Sequence, residues 1–525
     1  MLLQSALTLI SLVPLADPAV LRADVIIRNA TILDGSGQPG RKGDVAIRGD
    51  RIVAVGSFTV AGKPRVIDGR GLIVAPGFID LHTHSDNPLQ EPATKNNLNY
   101  LLQGVTTAVT GNCGFGPTDV AAYFKTLEKN RIGSNVIHQV PHNAVREKVM
   151  GNGNRPPTAA ELKKMEDLVD QAMKGGAWGL STGLYYNPGA YAKTDELIAL
   201  AKVAAKHGGF YASHIRDEGA GLLASIDEVL TIGREARLPG HISHLKAFGP
   251  KNWGKAADAI ALIERARKNG QAVTADQYPY VASSTRLAAE MIPPRFREGT
   301  AKDFQARLDD PQLGPVVREA IEERLNALQA GEKVRIARYS PKPSWHGKTL
   351  GQVVALEKKS LLDLVLEIEK HGGAQVVNFS MSDEDMRLIM KQPFVATGSD
   401  GSAMARNDTV PHPRNYGCFP RKIGRFAIDD KVVSIEHAIR SASGLPADIL
   451  RLPERGYLKP RYYADVVVFD PKTFRDQATF DKPHQYATGV RYLFVNGTLA
   501  VDQGKYTGAL AGKVLRHKST AAAAK

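Results

Sequence analysis

Through the middle of the chain the apolar positions keep changing period. After Thr158, the residues Leu162, Met165, Leu168, Val169 and Ala172 recur at the spacing of one helix face. Thr158 and Glu161 make a capping box at its start. Gly175 and Gly176 stop that helix, and residues 178–182 follow as a short apolar strand. The pattern then repeats. Helices stop at Gly208-Gly209, Pro239-Gly240, Asn269-Gly270 and Gly372-Gly373, and strands follow at 210–214, 241–244, 272–276 and 375–379. A further helix after Ser382 leads to a strand at 394–397. A helix, a glycine stop, a short buried strand and a polar residue at its end describe βα units on a parallel sheet. This many units close most economically into a (β/α)8 TIM-like barrel, whose chemistry sits at the C-terminal strand ends.

The two ends of the chain have another texture. Residues 44–48 and 51–56 read as strands around Gly49-Asp50, and 490–495 and 498–501 around Asn496-Gly497, both two-residue hairpin signals. Residues 24–35, 66–68 and 464–470 add further strands. Two β-rich ends around a long middle predict one β-sandwich built from both termini. The predicted domains are the N-terminal half of the sandwich at 23–75, the barrel at 76–440, the C-terminal half of the sandwich at 441–515 and a tail at 516–525. Pro293, Pro294, Pro311, Pro341 and Pro343 break the rhythm, which predicts an insertion at 290–350 that lies on the barrel as a lid and is not a separate domain.

Composition narrows the class. The 525 residues suffice for a large enzyme domain plus a smaller one. The net charge of +14 comes without a basic run interleaved with aromatics, so it reads as a solvated surface and disfavours a nucleic-acid partner. Two cysteines, Cys113 and Cys418, make no disulfide framework. Cys418 is expected in a loop and inert. Residues 2–16 are apolar, too short to span a membrane, and similar to the core of an export signal, although no Lys or Arg precedes them. Export to the periplasm with loss of residues 1–22 and a cytoplasmic location both stay open. No later stretch reads as a membrane span.

The polar residues at the strand ends carry the chemistry. His82 and His84 lie one residue apart at the end of the strand that begins at Phe78, so both point to one side. Cys113, His214, His244 and Asp400 end other predicted strands. All six are metal-ligand types, and barrel strands converge at one mouth. His244 is preferred to its neighbour His241, which is expected to be packed. Asp400 is the one carboxylate of the six, suited to act as general base and then general acid in hydrolysis by a zinc-activated water. Arg414 follows on the same mouth, and its planar fork suits bidentate binding of a carboxylate.

In their order along the chain these residues are similar to the amidohydrolase superfamily. Within it, Gly-Asn-Cys-Gly at 111–114, Ser-His-Ile-Arg-Asp-Glu at 213–218, Ile-Ser-His-x-Lys at 242–246, Tyr-Pro-Tyr at 278–280, Gly-Ser-Asp-Gly at 398–401 and His-Pro-Arg at 412–414 resemble the D-aminoacylase (N-acyl-D-amino-acid deacylase) family. The resemblance spans residues 24 to 510. It implies hydrolysis of N-acyl-D-amino acids, with a cysteine thiolate where hydantoinases use a carboxylated lysine. It implies one tight zinc on Cys113, His214 and His244, and a second, weaker or empty position at His82, His84 and Asp400. Lys246, Tyr278, Ser284 and Arg414 are implied to bind the substrate carboxylate. A dipeptidase acting on C-terminal D-residues is the same cleavage and stays open. A cyclic amidase is disfavoured by Cys113, and a metal-binding scaffold without catalysis by the presence of all six residues.

Overall fold

The computed structural model describes residues 21–518, so residues 1–20 of the expected export segment lie outside the described residues. Its centre is a closed barrel of eight parallel strands. In order they are Phe78–Asp80, Val105–Thr110, Asn135–His138 continued by Val140–Pro141, Gly179–Gly183, Phe210–His214, Gly240–Ile242, Val273–Gln277 and Val395–Thr397. Asn135–His138 pairs with the second strand and Val140–Pro141 with the fourth. The seam closes just beyond the eighth strand: the Asp400 amide donates to the His82 carbonyl at 2.8 Å, and the His84 amide to the Gly401 carbonyl at 2.7 Å. The barrel strands are almost wholly buried, as expected when helices cover a parallel sheet. Helix Ala159–Lys174 begins with the expected capping box and buries Met165, Val169 and Ala172.

Both chain ends build one nine-stranded sheet. Ile73–Pro76 pairs with Val466–Phe469 and so joins the N-terminal strands to the C-terminal ones. Asn496 and Gly497 both have positive φ, as the tightest hairpin turn requires. From Pro76 the chain passes through Gly77 directly into the first barrel strand. A Cβ on Gly77 would lie 2.3 Å from the Thr106 side chain, so only glycine fits this handover.

The structure departs from the sequence reading at three places. Gln375–Asn378 is not a barrel strand: it is the middle strand of an antiparallel sheet with Ser283–Arg286 and Val334–Arg338. The insertion therefore runs over residues 283–378, wider than 290–350, and has its own apolar core around Leu287, Phe296, Val317, Ile336, Leu364 and Val376. Its strand carries the same local texture as a barrel strand because it too is buried. The C-terminal boundary also moves. Helices Ile435–Ala442 and Gly444–Leu450 still belong with the barrel, Leu445 and Leu450 packing with Ile79 and Ala396, and the chain rejoins the sheet only at Val466. Finally, residues 516 and 517 are no tail: Arg516 pairs with Glu128, and the His517 amide donates to the Gly176 carbonyl at 3.0 Å.

Candidate metal centre

The site is assembled from the ends of five strands. Past Phe78–Asp80, His82 is fully buried, whereas His84 is partly exposed to the mouth. Past Val105–Thr110 the chain turns through Gly111 and Gly114, with Cys113 itself at φ +53°. Polar side chains over-determine that strained turn. Asp86 accepts the Gly111 amide at 2.6 Å, and the Asn112 amide group reaches the carbonyls of Leu81, Thr83 and Val109. A Cβ on Gly114 would lie 2.1 Å from the Asn143 carboxamide.

The result is a thiol surrounded by imidazoles. Cys113 Sγ lies 3.3 Å from His82 Nε2, 3.7 Å from His214 Nδ1 and 3.8 Å from His244 Nε2. Burial pushes the Cys113 thiol up, but the charge on His82 and the three imidazole contacts outweigh it and hold it well below its ordinary value. Asp400 Oδ1 lies 3.0 Å from His84 Nε2 and 3.5 Å from His82 Nε2. Burial likewise raises the Asp400 carboxyl, and Arg414 first, then His82 and His244, bring it well below the usual carboxylate range. A soft thiol with imidazoles and one carboxylate is a donor set that fits zinc. The six residues expected from sequence thus stand together. The division between the two metal positions is less sharp than expected, because His82 touches both Cys113 and Asp400 and is common to the two groups.

The expected substrate residues are distributed differently. Arg414 is buried, with Nη1 2.8 Å from Asp400 Oδ2 and its guanidinium 4.8 Å over the Tyr278 ring. Ser284 comes from the insertion, and its carbonyl accepts Arg414 Nη2 at 3.3 Å. Lys246 is held between Glu218, its ion-pair partner, and His244 Nδ1 at 2.7 Å. It lines the smaller cleft together with Tyr278 and Ser284, and is engaged there by Glu218 and His244. The Tyr278 hydroxyl has Met381 Sδ at 3.8 Å as its contact. Cys418 lies in helix Arg414–Pro420 and not in a loop; burial, then Asp80, raises its thiol, in keeping with an inert group.

Three residues escape a reading by strand ends. Glu218 lies 3.0 Å from His244 Nδ1 and 4.0 Å from His214 Nε2; its position four residues after His214 is a legible signal. Tyr186 places its ring 4.7 Å from that of His214. Arg297, from the insertion, is half-buried and lines both clefts that meet at Asp400. These clefts have volumes of about 990 and 550 Å³. Among the described residues Arg297 makes no ion pair and its buried Nε has no hydrogen-bond partner, but its Nη2 donates to the Tyr185 carbonyl at 3.5 Å and the buried Glu369 carboxyl feels its charge.

A closed barrel that gathers a thiol, four imidazoles and a carboxylate at its C-terminal mouth defines a metal-dependent hydrolase. More narrowly, the chain belongs to the amidohydrolase family, whose profile matches residues 65–501, and within it to the D-aminoacylase branch. The D-aminoacylase of Alcaligenes xylosoxydans xylosoxydans is 36% identical over 94% of this chain and 97% of its own length. The N-acyl-D-glutamate deacylase of the same organism is 35% identical, over 96% and 98%. The crystal structure of N-acyl-D-glutamate deacylase from Bordetella bronchiseptica, complexed with zinc and a phosphonate mimic of the tetrahedral intermediate, has a TM-score of 0.82 at 33% identity. The match covers 94% of this chain and 100% of that one. Among the described residues no helix is long and apolar enough to cross a membrane.

Proposed function

We propose that this chain hydrolyses the amide bond of N-acyl-D-amino acids, giving a carboxylate and a free D-amino acid, with zinc held by Cys113, His214, His244 and the residues around His82. The observation that carries the reading is the convergence of three imidazoles on the Cys113 thiol directly beside Asp400. Those residues would hold zinc, which when bound would supply Lewis acidity toward an amide carbonyl and lower the pKa of a water at the site. Asp400 is kept ionised by Arg414, so it can take the proton of the attacking water and return it to the leaving nitrogen. Arg414 and Ser284, side by side above it, receive the substrate carboxylate.

Arg297, which lines both clefts and makes no ion pair among the described residues, supports a finer reading, in which the preferred D-residue carries an acidic side chain. The Arg297 Nε, drawn out of water without a hydrogen-bond partner, is costly unless a ligand provides one. The test is a panel of N-acetyl-D-glutamate, N-acetyl-D-aspartate and N-acetyl-D-leucine on the parent and on Arg297→Leu. The expected result is a kcat/KM that favours the acidic substrates at least tenfold, with Arg297→Leu removing that preference while sparing the leucine derivative. Equal preference in the parent would sink the side-chain assignment; no turnover of any of the three would sink the activity itself.

A further inference from the structure

One buried pair beneath the site has no role in the chemistry above. Asp276, near the end of the strand Val273–Gln277, is 1% exposed, and His241, at the strand Gly240–Ile242, is 3% exposed. His241 Nε2 and Asp276 Oδ2 are 2.8 Å apart, and His241 Nδ1 lies 2.8 Å from Thr274 Oγ1. His241 is thereby fixed at both ring nitrogens, and it fixes Asp276.

Asp276 in turn reaches two candidate ligands on different strands. Its Oδ1 accepts the His244 backbone amide at 2.9 Å. That bond holds His244 at φ +36°, a conformation that a side-chain-bearing residue rarely adopts. Its Oδ2 lies 3.4 Å from His82 Nδ1, an atom with no hydrogen-bond partner among the described residues, while His82 Nε2 points to Cys113 and Asp400. Gly398 lets the backbone pass close to this arrangement: a Cβ there would meet Asp276 Oδ1 at 2.7 Å and His82 Cβ at 3.0 Å. A ligating imidazole is commonly oriented through its second nitrogen by a carboxylate, which fixes the tautomer.

We infer that Asp276, clamped by His241, is a positioning residue that sets His82 and His244 together for metal binding. Through the charge on Oδ2, 3.4 Å away, it favours a proton on His82 Nδ1 and so leaves Nε2 to face the metal position. Through Oδ1 it holds the strained backbone that aims His244. This inference rests on the metal-centre reading and concerns residues that do not touch the metal or the substrate.

Asp276→Asn tests it because the change is isosteric. The asparagine carbonyl can keep the His244 amide, but its NH2 then stands in place of the oxygen that faces both His241 Nε2 and His82 Nδ1, which breaks the clamp and removes the negative charge beside His82. The full-length protein, stripped by chelation, would be titrated with Zn2+ against a competing chelator, and the Tm of the zinc-free form measured alongside. The expected result is zinc affinity weaker by about tenfold or more at an unchanged zinc-free Tm, as for lost partners of ligating histidines elsewhere. Parent-like affinity in Asp276→Asn overturns the inference. If that variant fails to fold, His241→Gln, which leaves Asp276 ionised but less constrained, must show a smaller loss of affinity in the same titration, and parent-like affinity there overturns the inference too. A parent that binds no zinc at all would instead refute the metal-centre reading.

Discussion

At the scale of single residues, metal binding and turnover depend on what stands next to Cys113 and Asp400. Cys113→Ser keeps the size of the side chain and removes the soft donor, so zinc affinity should fall by about a hundredfold or more in chelator competition while the fold persists. Parent-like affinity would contradict the ligand assignment. Asp400→Ala should keep the zinc held through Cys113 and lower kcat by about a hundredfold or more, read by metal analysis beside steady-state kinetics. Near-normal kcat would exclude Asp400 as the base. For Arg414, proximity to Asp400 changes the expectation. Arg414→Ala should raise KM for N-acyl-D-amino acids far more than for an uncharged amide, and it should also lower kcat for both, because the guanidinium lies 2.8 Å from the base. Equal KM effects on the two substrates would remove its role toward the carboxylate.

At the scale of elements, what the sequence makes legible follows a physical divide. His82, His84, Cys113, His214, His244 and Asp400 can be found because each ends a strand, and strand ends of a barrel share one mouth. Asp276 is near a strand end as well, and the same rule reaches it once structural partners are sought beside ligands. Gln375–Asn378 misleads because periodicity reports burial and not pairing partners. Glu218 is legible from its place four residues after His214, whereas Tyr186 and Arg297 arise from a loop and the insertion packing on the barrel, which no local pattern encodes. The insertion carries a pH signature of its own. Burial raises the Glu290 carboxyl to about 7, against a partial offset from Asn378, whose amide reaches it at 3.2 Å. The folded state therefore holds this proton more tightly than the unfolded one. The stability it contributes is full below the ordinary value of 4.5 and is lost as the pH rises through 7. Glu290→Gln should be neutral or mildly destabilising at pH 4.5 and stabilising above pH 7, by up to about 3 kcal/mol. A difference in Tm that stays constant over that range would contradict it.

At the scale of the whole molecule, the two domains are tied at both ends. Ile73–Pro76 runs from the sheet straight into the barrel, and the final segment returns beneath it. There, the Val136 amide donates to the Lys513 carbonyl at 2.9 Å and the Leu515 amide to the Val136 carbonyl at 2.8 Å, and the Trp178 indole donates to the Leu515 carbonyl at 2.6 Å. Removal of residues 511–525 should lower Tm through these lost bonds, each worth on the order of 1 kcal/mol, and leave zinc content unchanged, because the segment crosses the face opposite the mouth. Catalysis is also a property of the whole barrel, since five strand ends and the insertion meet around the two clefts that join at Asp400. Its most direct measurement is hydrolysis of racemic N-acetyl amino acids by the zinc-loaded and the chelator-stripped protein, with chiral analysis of the product. D-amino acid is expected from the zinc-loaded protein alone, whereas L-amino acid, or turnover that survives removal of the metal, would contradict the claim.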